Sequence, residues 1–164
     1  MSEWRLGKLE DARKTAATGL QLTNIGQSPR DEMVLRMIPA LVIDEQLVGQ
    51  FRAAGSAISK QTYDASYAKD YATAANVMGR VMSGVKPSMP ETTMYYAAMQ
   101  RWRILQNWRI VISKIQDGAD AREAARDDAA NALEAPLADE IKRMEDLVPP
   151  GDPLRKLMEA LALR

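Results

Sequence analysis

The residues that could do chemistry in this chain are few in kind, because it contains neither histidine nor cysteine. The usual zinc sites, thiol nucleophiles and imidazole bases are therefore excluded. Carboxylates, lysine, tyrosine, serine and threonine are the catalytic side chains that remain. The chain also lacks the glycine-rich motifs that bind phosphates and dinucleotides. We expect no enzymatic activity, no cofactor and no small-molecule substrate.

A magnesium site built from carboxylates is the metal-dependent route that this composition leaves open. Asp117 and Asp120 lie three residues apart, and Asp127 and Asp128 are adjacent. Both pairs fall in or beside an alanine-rich segment that is predicted to be an exposed helix. Acidic pairs in such helices are usually solvated surface charges, so we predict that they bind no metal.

The strongest indication of binding is a long segment without acidic residues. Residues 92–116 contain three arginines and one lysine, but no aspartate or glutamate. On a helix, their apolar residues form one broad face, and a strip of donors and amides lies opposite. A solvated helix of this length would ordinarily include acids for i,i+4 ion pairs. We call the strip the polar strip; it consists of Tyr96, Gln100, Arg103, Asn107 and Lys114.

The chemistry of this segment favours contact with a phosphate backbone. Arginine, lysine, amide and tyrosine side chains supply most phosphate and sugar contacts in nucleic-acid complexes. The predicted contact residues are Arg101, Arg103, Arg109 and Lys114, with Tyr96, Gln100 and Asn107 beside them. The alternative is a central core helix whose few charges pair with carboxylates of the following helix.

Aromatic residues at helical spacing predict packing in a core or between subunits. Tyr63, Tyr67 and Tyr71 lie four residues apart, and Trp102 and Trp108 belong to the wide apolar face of the acid-free segment. Tyrosine suits positions where one end of the ring is apolar and the other is wet. We predict that these five residues form an interface and that the chain is at least a dimer. A line of small residues that would let another backbone approach runs beside the tyrosines: Ala65, Ala68, Ala72, Ala75 and Gly79.

The elements that must position these residues are all predicted to be helices. Apolar residues recur at helical spacing between capping signals, and no stretch alternates as a strand would. We predict an all-α bundle of six to seven helices with a long central helix at about 90–117. Pro39 predicts a kink or a break near Ile38. The other predicted helices span about 2–20, 29–54, 62–83, 120–133, 137–147 and 154–163.

The 164 residues are enough for one domain with a single core. Within it we distinguish an N-terminal helix or arm (1–27), basic central helices (28–117) and acidic C-terminal helices (118–164). Acidic and basic residues both number 22, so the net charge is zero. The charge is nevertheless segregated, because residues 117–164 contain seven basic and twelve acidic side chains.

We expect neither a signal peptide nor a membrane-spanning helix. The first residues, Met1 to Arg5, contain no apolar stretch. The longest apolar stretch, from Met37 to Ile43, is interrupted by Pro39 and is too short to cross a bilayer.

The helical pattern, the acid-free basic helix and the acidic tail together resemble the major coat proteins of filamentous double-stranded DNA viruses of archaea. The resemblance is architectural and covers residues 29–117. It implies helical subunits that pair, wrap the duplex in an A-like form and contact its backbone without reading sequence. It also implies a secondary set of contacting cations, namely Arg80, Lys86, Lys60 and Lys69.

We therefore predict a structural coat protein that self-assembles around double-stranded DNA and packages it. Its protein partner would be itself or a paralogous coat protein, and its location the virion, after synthesis in the host cytoplasm. The net charge of zero departs from what a DNA-neutralising coat would carry. Two alternatives stay open: a cytoplasmic helical adaptor or bundle that binds only protein, and a phage-type DNA-packaging or head accessory protein.

Overall fold

The computed structural model describes residues 8–21, 29–55, 57–83 and 91–133, together with 142, 146, 150–152 and 155. In these residues the regular elements are all helices, which confirms the all-α prediction. They are α1 (Leu9–Leu20), α2 (Pro29–Ala54), α3, α4 (Glu91–Ser113) and α5 (Ala119–Leu133). The third helix, α3, comprises an α-helical turn at Lys60–Tyr63, a π-helical turn at Asp64–Ala68 and an α-helix at Lys69–Ser83.

The described residues thus contain five helices rather than six or seven. The predicted helices at 137–147 and 154–163 fall almost entirely outside the described residues, as does the beginning of the first predicted helix. Lys86 also lies outside them.

Helix α2 runs unbroken through Pro39, so the predicted break near Ile38 is not found. A proline inside a helix removes one backbone hydrogen bond and crowds the preceding turn. The residues on both sides of Pro39 are in the core, since Met37, Ile38 and Ala40 are at most 5 % exposed. Their burial against neighbouring helices offsets the loss of that hydrogen bond.

Helix α4 ends at Ser113, before the end of the predicted 90–117 span. After Ser113 the chain leaves the helix and pairs with the segment that precedes α3. Ile58 N donates to Lys114 O at 3.2 Å, and Gln116 N donates to Ile58 O at 3.0 Å. Gly118, at φ 103°, then turns the chain into α5.

The core is built around α4, which packs against α2, α3 and α5. Its apolar residues from Ala97 onward are almost all inaccessible, and the largest of them are less than 2 % exposed. A second, smaller cluster joins α1 to the outer side of α2 through Ala12, Ala16, Ile38 and Val42. The width of the apolar face of α4 is explained by this position, because the helix is covered on several sides.

Candidate functional site

The middle of the polar strip faces α2 and binds a carboxylate of the same chain. Asp44, on α2, is 1 % exposed. Asn107 Nδ2 donates to Asp44 Oδ1 at 2.9 Å. Arg103 Nη2 lies 3.0 Å from Asp44 Oδ2 and 3.5 Å from Glu45 Oε1. These contacts connect α2 to α4 through a buried charge and its partners.

The electrostatics of Asp44 are dominated by burial. Loss of hydration raises the pKa of this carboxyl above its ordinary value, while the positive charge of Arg103 and the Asn107 hydrogen bond act against that rise. A buried carboxylate is tolerated only when charged and hydrogen-bonding partners surround it. This arrangement accounts for the absence of acids from residues 92–116, because the acid that complements Arg103 and Asn107 lies on α2.

This placement corrects the prediction that the whole polar strip is open to phosphate. Gln100 is 5 % exposed, and Arg103 and Asn107 are half-buried against Asp44. Tyr96 is half-buried as well. Among the described residues, the carboxylates that contact Arg103 are on α2, whereas the predicted alternative placed them on the following helix.

Arg101, the next of the predicted phosphate contacts, extends across α3. Its Nη1 donates to the carbonyl oxygen of Ala75 at 3.2 Å. A Cβ on Gly79 would lie only 2.5 Å from that same nitrogen. The line of small residues on α3 therefore accommodates an arginine side chain here, where the sequence suggested a helix backbone or a sugar-phosphate chain.

The five aromatic residues predicted at an interface lie in the core of the single chain. All are at most 3 % exposed. Trp108 Nε1 donates to Tyr63 Oη at 2.8 Å. The Trp108 ring also stacks on Tyr71 with centroids 5.9 Å apart, and burial raises the pKa of Tyr63 to about 12. Trp102 and Tyr67 are buried beside them, so none of these side chains is left to cover a partner.

Lys60 is held by acids of its own chain. Its Nζ lies 2.7 Å from Asp64 Oδ1 and 3.4 Å from Asp128 Oδ2, which connects α3 to α5. The hydrogen bond to Asp64 is the main reason why the pKa of Lys60 is raised. Asp117 Oδ2 accepts from Lys60 N at 2.6 Å and so helps to begin α3. Two of the four aspartates considered for magnesium thus have structural partners.

The remaining predicted cations are exposed. Four of them have exposed side chains and no ion pair within the described part of the chain: Arg109 on α4, Lys114 directly after α4, and Lys69 and Arg80 on α3. Of the phosphate contacts predicted in residues 92–116, Arg109 and Lys114 are therefore the ones that a polyanion could reach without breaking an internal contact among the described residues.

Metal-binding clusters and membrane-spanning helices are both missing from the residues that the structure describes. These residues contain no group of three or more acidic side chains close enough to hold a metal ion. None of the helices described in them combines the length and apolar composition that a bilayer-spanning segment needs.

A groove of about 240 Å³ lies between α2 and α4, above the Asp44–Arg103 pair. Its walls mix charged, amide and apolar side chains: Asp44, Glu45, Val48, Arg52, Trp102, Arg103, Gln106, Asn107 and Ile110. Asp44, Glu45 and Arg52 were not among the residues predicted from the sequence. The available signal was an acid pair directly after the apolar stretch 37–43, where an aspartate on a buried helix requires partners.

No protein-family model matches this chain, and no curated protein or solved structure shows significant similarity to it. The resemblance to filamentous virus coat proteins therefore stays a prediction based on architecture.

Proposed function

We propose that this chain is a non-enzymatic helical subunit that acts through contacts with other protein chains, and that its polar strip does not bind nucleic acid. The observation that supports this most directly is the buried Asp44, which is bound by Arg103 and Asn107. The donors that suggested a phosphate partner already have an anionic partner inside the bundle.

The energetics of the pair favour the same conclusion. To contact a phosphate, Arg103 would have to leave a carboxylate that is 1 % exposed. Removing one partner of a buried ion pair costs about 3–5 kcal/mol, because the other charge is left uncompensated. A phosphate contact made at the surface would offset only a part of this free-energy cost, since surface ion pairs contribute about 0–1 kcal/mol.

A second candidate, the coat protein, is favoured by the exposed cations of α4. Arg109 and Lys114 are five residues apart, on either side of the end of α4, in the segment 92–116 that has no acidic residue. In this version the subunit would contact a DNA backbone through these two side chains, with Lys69 and Arg80 in support, while Arg103 stays inside.

Salt-dependent binding to duplex DNA of mixed sequence separates the two candidates. The protein-only proposal expects purified protein to have the absorbance ratio of protein alone and to show no binding that weakens with salt. A coat would bind with a log–log salt slope of about −0.9 for each neutralised phosphate. The double variant Arg109→Gln/Lys114→Gln would then reduce the slope by about two units.

Arg103→Gln is the matched control for that experiment, because it also removes a cation from α4. If the double variant Arg109→Gln/Lys114→Gln reduces the salt slope and Arg103→Gln does not, the result supports the coat protein and overturns our proposal. If the Arg103→Gln variant is folded and its DNA affinity depends less steeply on salt than that of the wild type, the polar strip itself contacts the DNA.

A further inference from the structure

The second half of α2 carries a stripe of residues, Glu45, Val48, Gly49 and Arg52, with an acid at one end and a base at the other. Two copies of such a stripe in antiparallel orientation are complementary in charge. Glu45 and Arg52 are seven residues apart, which is about two helical turns, so both lie on the same side of the helix. The Glu45 side chain is 42 % exposed, and Arg52 is exposed as well. Both residues line the groove between α2 and α4.

The midpoint of this stripe falls between Val48 and Gly49. Val48 is half-buried and apolar, and Gly49 is exposed. A Cβ built on Gly49 would meet nothing within 4 Å, so no side chain among the described residues covers this point. A glycine at a helix crossing lets two backbones approach closely.

We propose that this stripe is the contact surface for a second copy of the chain, with the two α2 helices antiparallel about a twofold axis at Val48 and Gly49. A twofold interface places the same surface on both subunits, so that residue i contacts residue j and j contacts i. Glu45 and Arg52 lie about 5 Å along the helix on either side of the midpoint. Each Glu45 therefore faces the partner's Arg52, and the pair forms twice.

The groove supplies the remaining part of the contact. The aliphatic stem of the partner's Arg52 packs between Val48 and Ile110, while its guanidinium approaches Glu45. Glu45 Oε1 already lies 3.5 Å from Arg103 Nη2, so its carboxylate bridges an internal and an external arginine. This inference rests on the proposed protein-binding function and names the partner.

Charge reversal tests the pairing. Glu45→Lys places an ammonium group opposite the partner's Arg52 at both ends of the interface, and Arg52→Glu places two carboxylates opposite each other. Each variant alone raises the dissociation constant of the homodimer at least tenfold, because opposed like charges disfavour association. The two variants mixed together form a heterodimer, since the repulsion present in each homodimer is relieved.

The measurements are sedimentation equilibrium of each protein and capture of one tagged variant by the other. Lys69→Glu, which reverses an exposed cation on α3, is the matched control and leaves the dimer unchanged. Circular dichroism checks that each variant is folded, and Arg52→Glu alters an exposed side chain with no ion pair among the described residues.

A monomeric wild type overturns the inference, as does a dimer that neither reversal weakens or a mixture that fails to form the heterodimer. Disruption by Lys69→Glu also overturns it, because the contact would then lie elsewhere. None of these results involves nucleic acid, so a failed pairing leaves the protein-only function open to partners of other kinds. Conversely, DNA binding through Arg109 and Lys114 would overturn that function without altering the dimer result.

Discussion

Single buried polar atoms account for much of the specificity of this core. Asp44 forms an ion pair with Arg103 and accepts a hydrogen bond from Asn107, which connects α2 to α4, and Trp108 donates its indole hydrogen to Tyr63. Tyr71 is equally buried, but its hydroxyl has no hydrogen-bond partner in the described part of the chain. The three tyrosines of the α3 stripe therefore look alike in the sequence and differ in what their hydroxyl groups do.

Removal of these hydroxyl groups has different expected outcomes. Tyr63→Phe leaves the Trp108 N–H buried without an acceptor and lowers the free energy of unfolding by about 1–3 kcal/mol. Tyr71→Phe removes a hydroxyl that is buried without a bond, so the free energy of unfolding stays unchanged or rises slightly. Denaturant unfolding of both variants beside the wild type measures the difference. Equal losses in the two variants would contradict the assigned hydrogen bond.

At the scale of elements, α3 and α4 are fitted to each other by an arginine and a glycine. The α-helical part of α3 has Gly79 in its interior, where alanine would be the better helix former by about 0.5–1 kcal/mol. The Arg101 guanidinium lies across this position and donates to Ala75 O. Gly79 thus lowers the helix propensity of α3, but its missing side chain leaves space for the contact between Arg101 and Ala75.

A double-mutant cycle on Gly79 and Arg101 tests this fit. Gly79→Ala in the wild type displaces Arg101 Nη1 from its bond, so the gain in helix propensity is largely cancelled. In an Arg101→Ala background nothing opposes the new methyl group, and the same substitution stabilises the protein by about 0.5–1 kcal/mol. Thermal or denaturant unfolding of the four proteins gives the coupling. Additive effects would show that the arginine does not occupy this space in solution.

In the whole molecule, charged side chains are placed unevenly although the net charge is zero. The net charge is zero, and the described part of the chain combines internal pairs with exposed cations at one end of α4. The Asp44–Arg103 pair joins α2 to the central helix, so the protonation of one carboxyl affects the stability of the bundle.

The pH dependence of stability follows from the raised pKa of Asp44. Burial places the folded-state pKa above the unfolded value near 3.8, so the folded protein binds the proton more tightly. The contribution of this group to stability is complete below the unfolded pKa and is lost as pH rises through the folded pKa. Relative to Asp44→Asn, which does not titrate there, the wild type is therefore most stable in acid.

Denaturant unfolding of wild type and Asp44→Asn, measured side by side from about pH 3 to pH 7, gives this difference. The expected curve shows the advantage of the wild type over the variant shrinking with rising pH. The comparison with the variant cancels the other carboxyl groups, which titrate in both proteins. A difference that grows with pH would mean that Arg103 and Asn107 outweigh burial and that the folded-state pKa is lowered.

The sequence by itself determined the helices, because their signals are local. The sequence predicted a helix at about 29–54, and the described helix α2 spans Pro29–Ala54. A kink or a break was predicted near Ile38, and the break is not found because tertiary burial on both sides of Pro39 offsets the loss of one backbone hydrogen bond. The end of α4 was placed too late because its pairing partner, Ile58, is distant in sequence.

What only the tertiary structure decided is where each polar side chain points and what it meets. The composition of α4 correctly indicated that its donors need an anion, but a phosphate and a buried aspartate satisfy the same donors. Asp44 and Arg103 are separated in the sequence by the end of α2, the whole of α3 and the first half of α4, and their contact depends on which faces of α2 and α4 pack together. That packing is set by the apolar residues of several helices at once, so no local pattern in the sequence could identify the partner of Arg103.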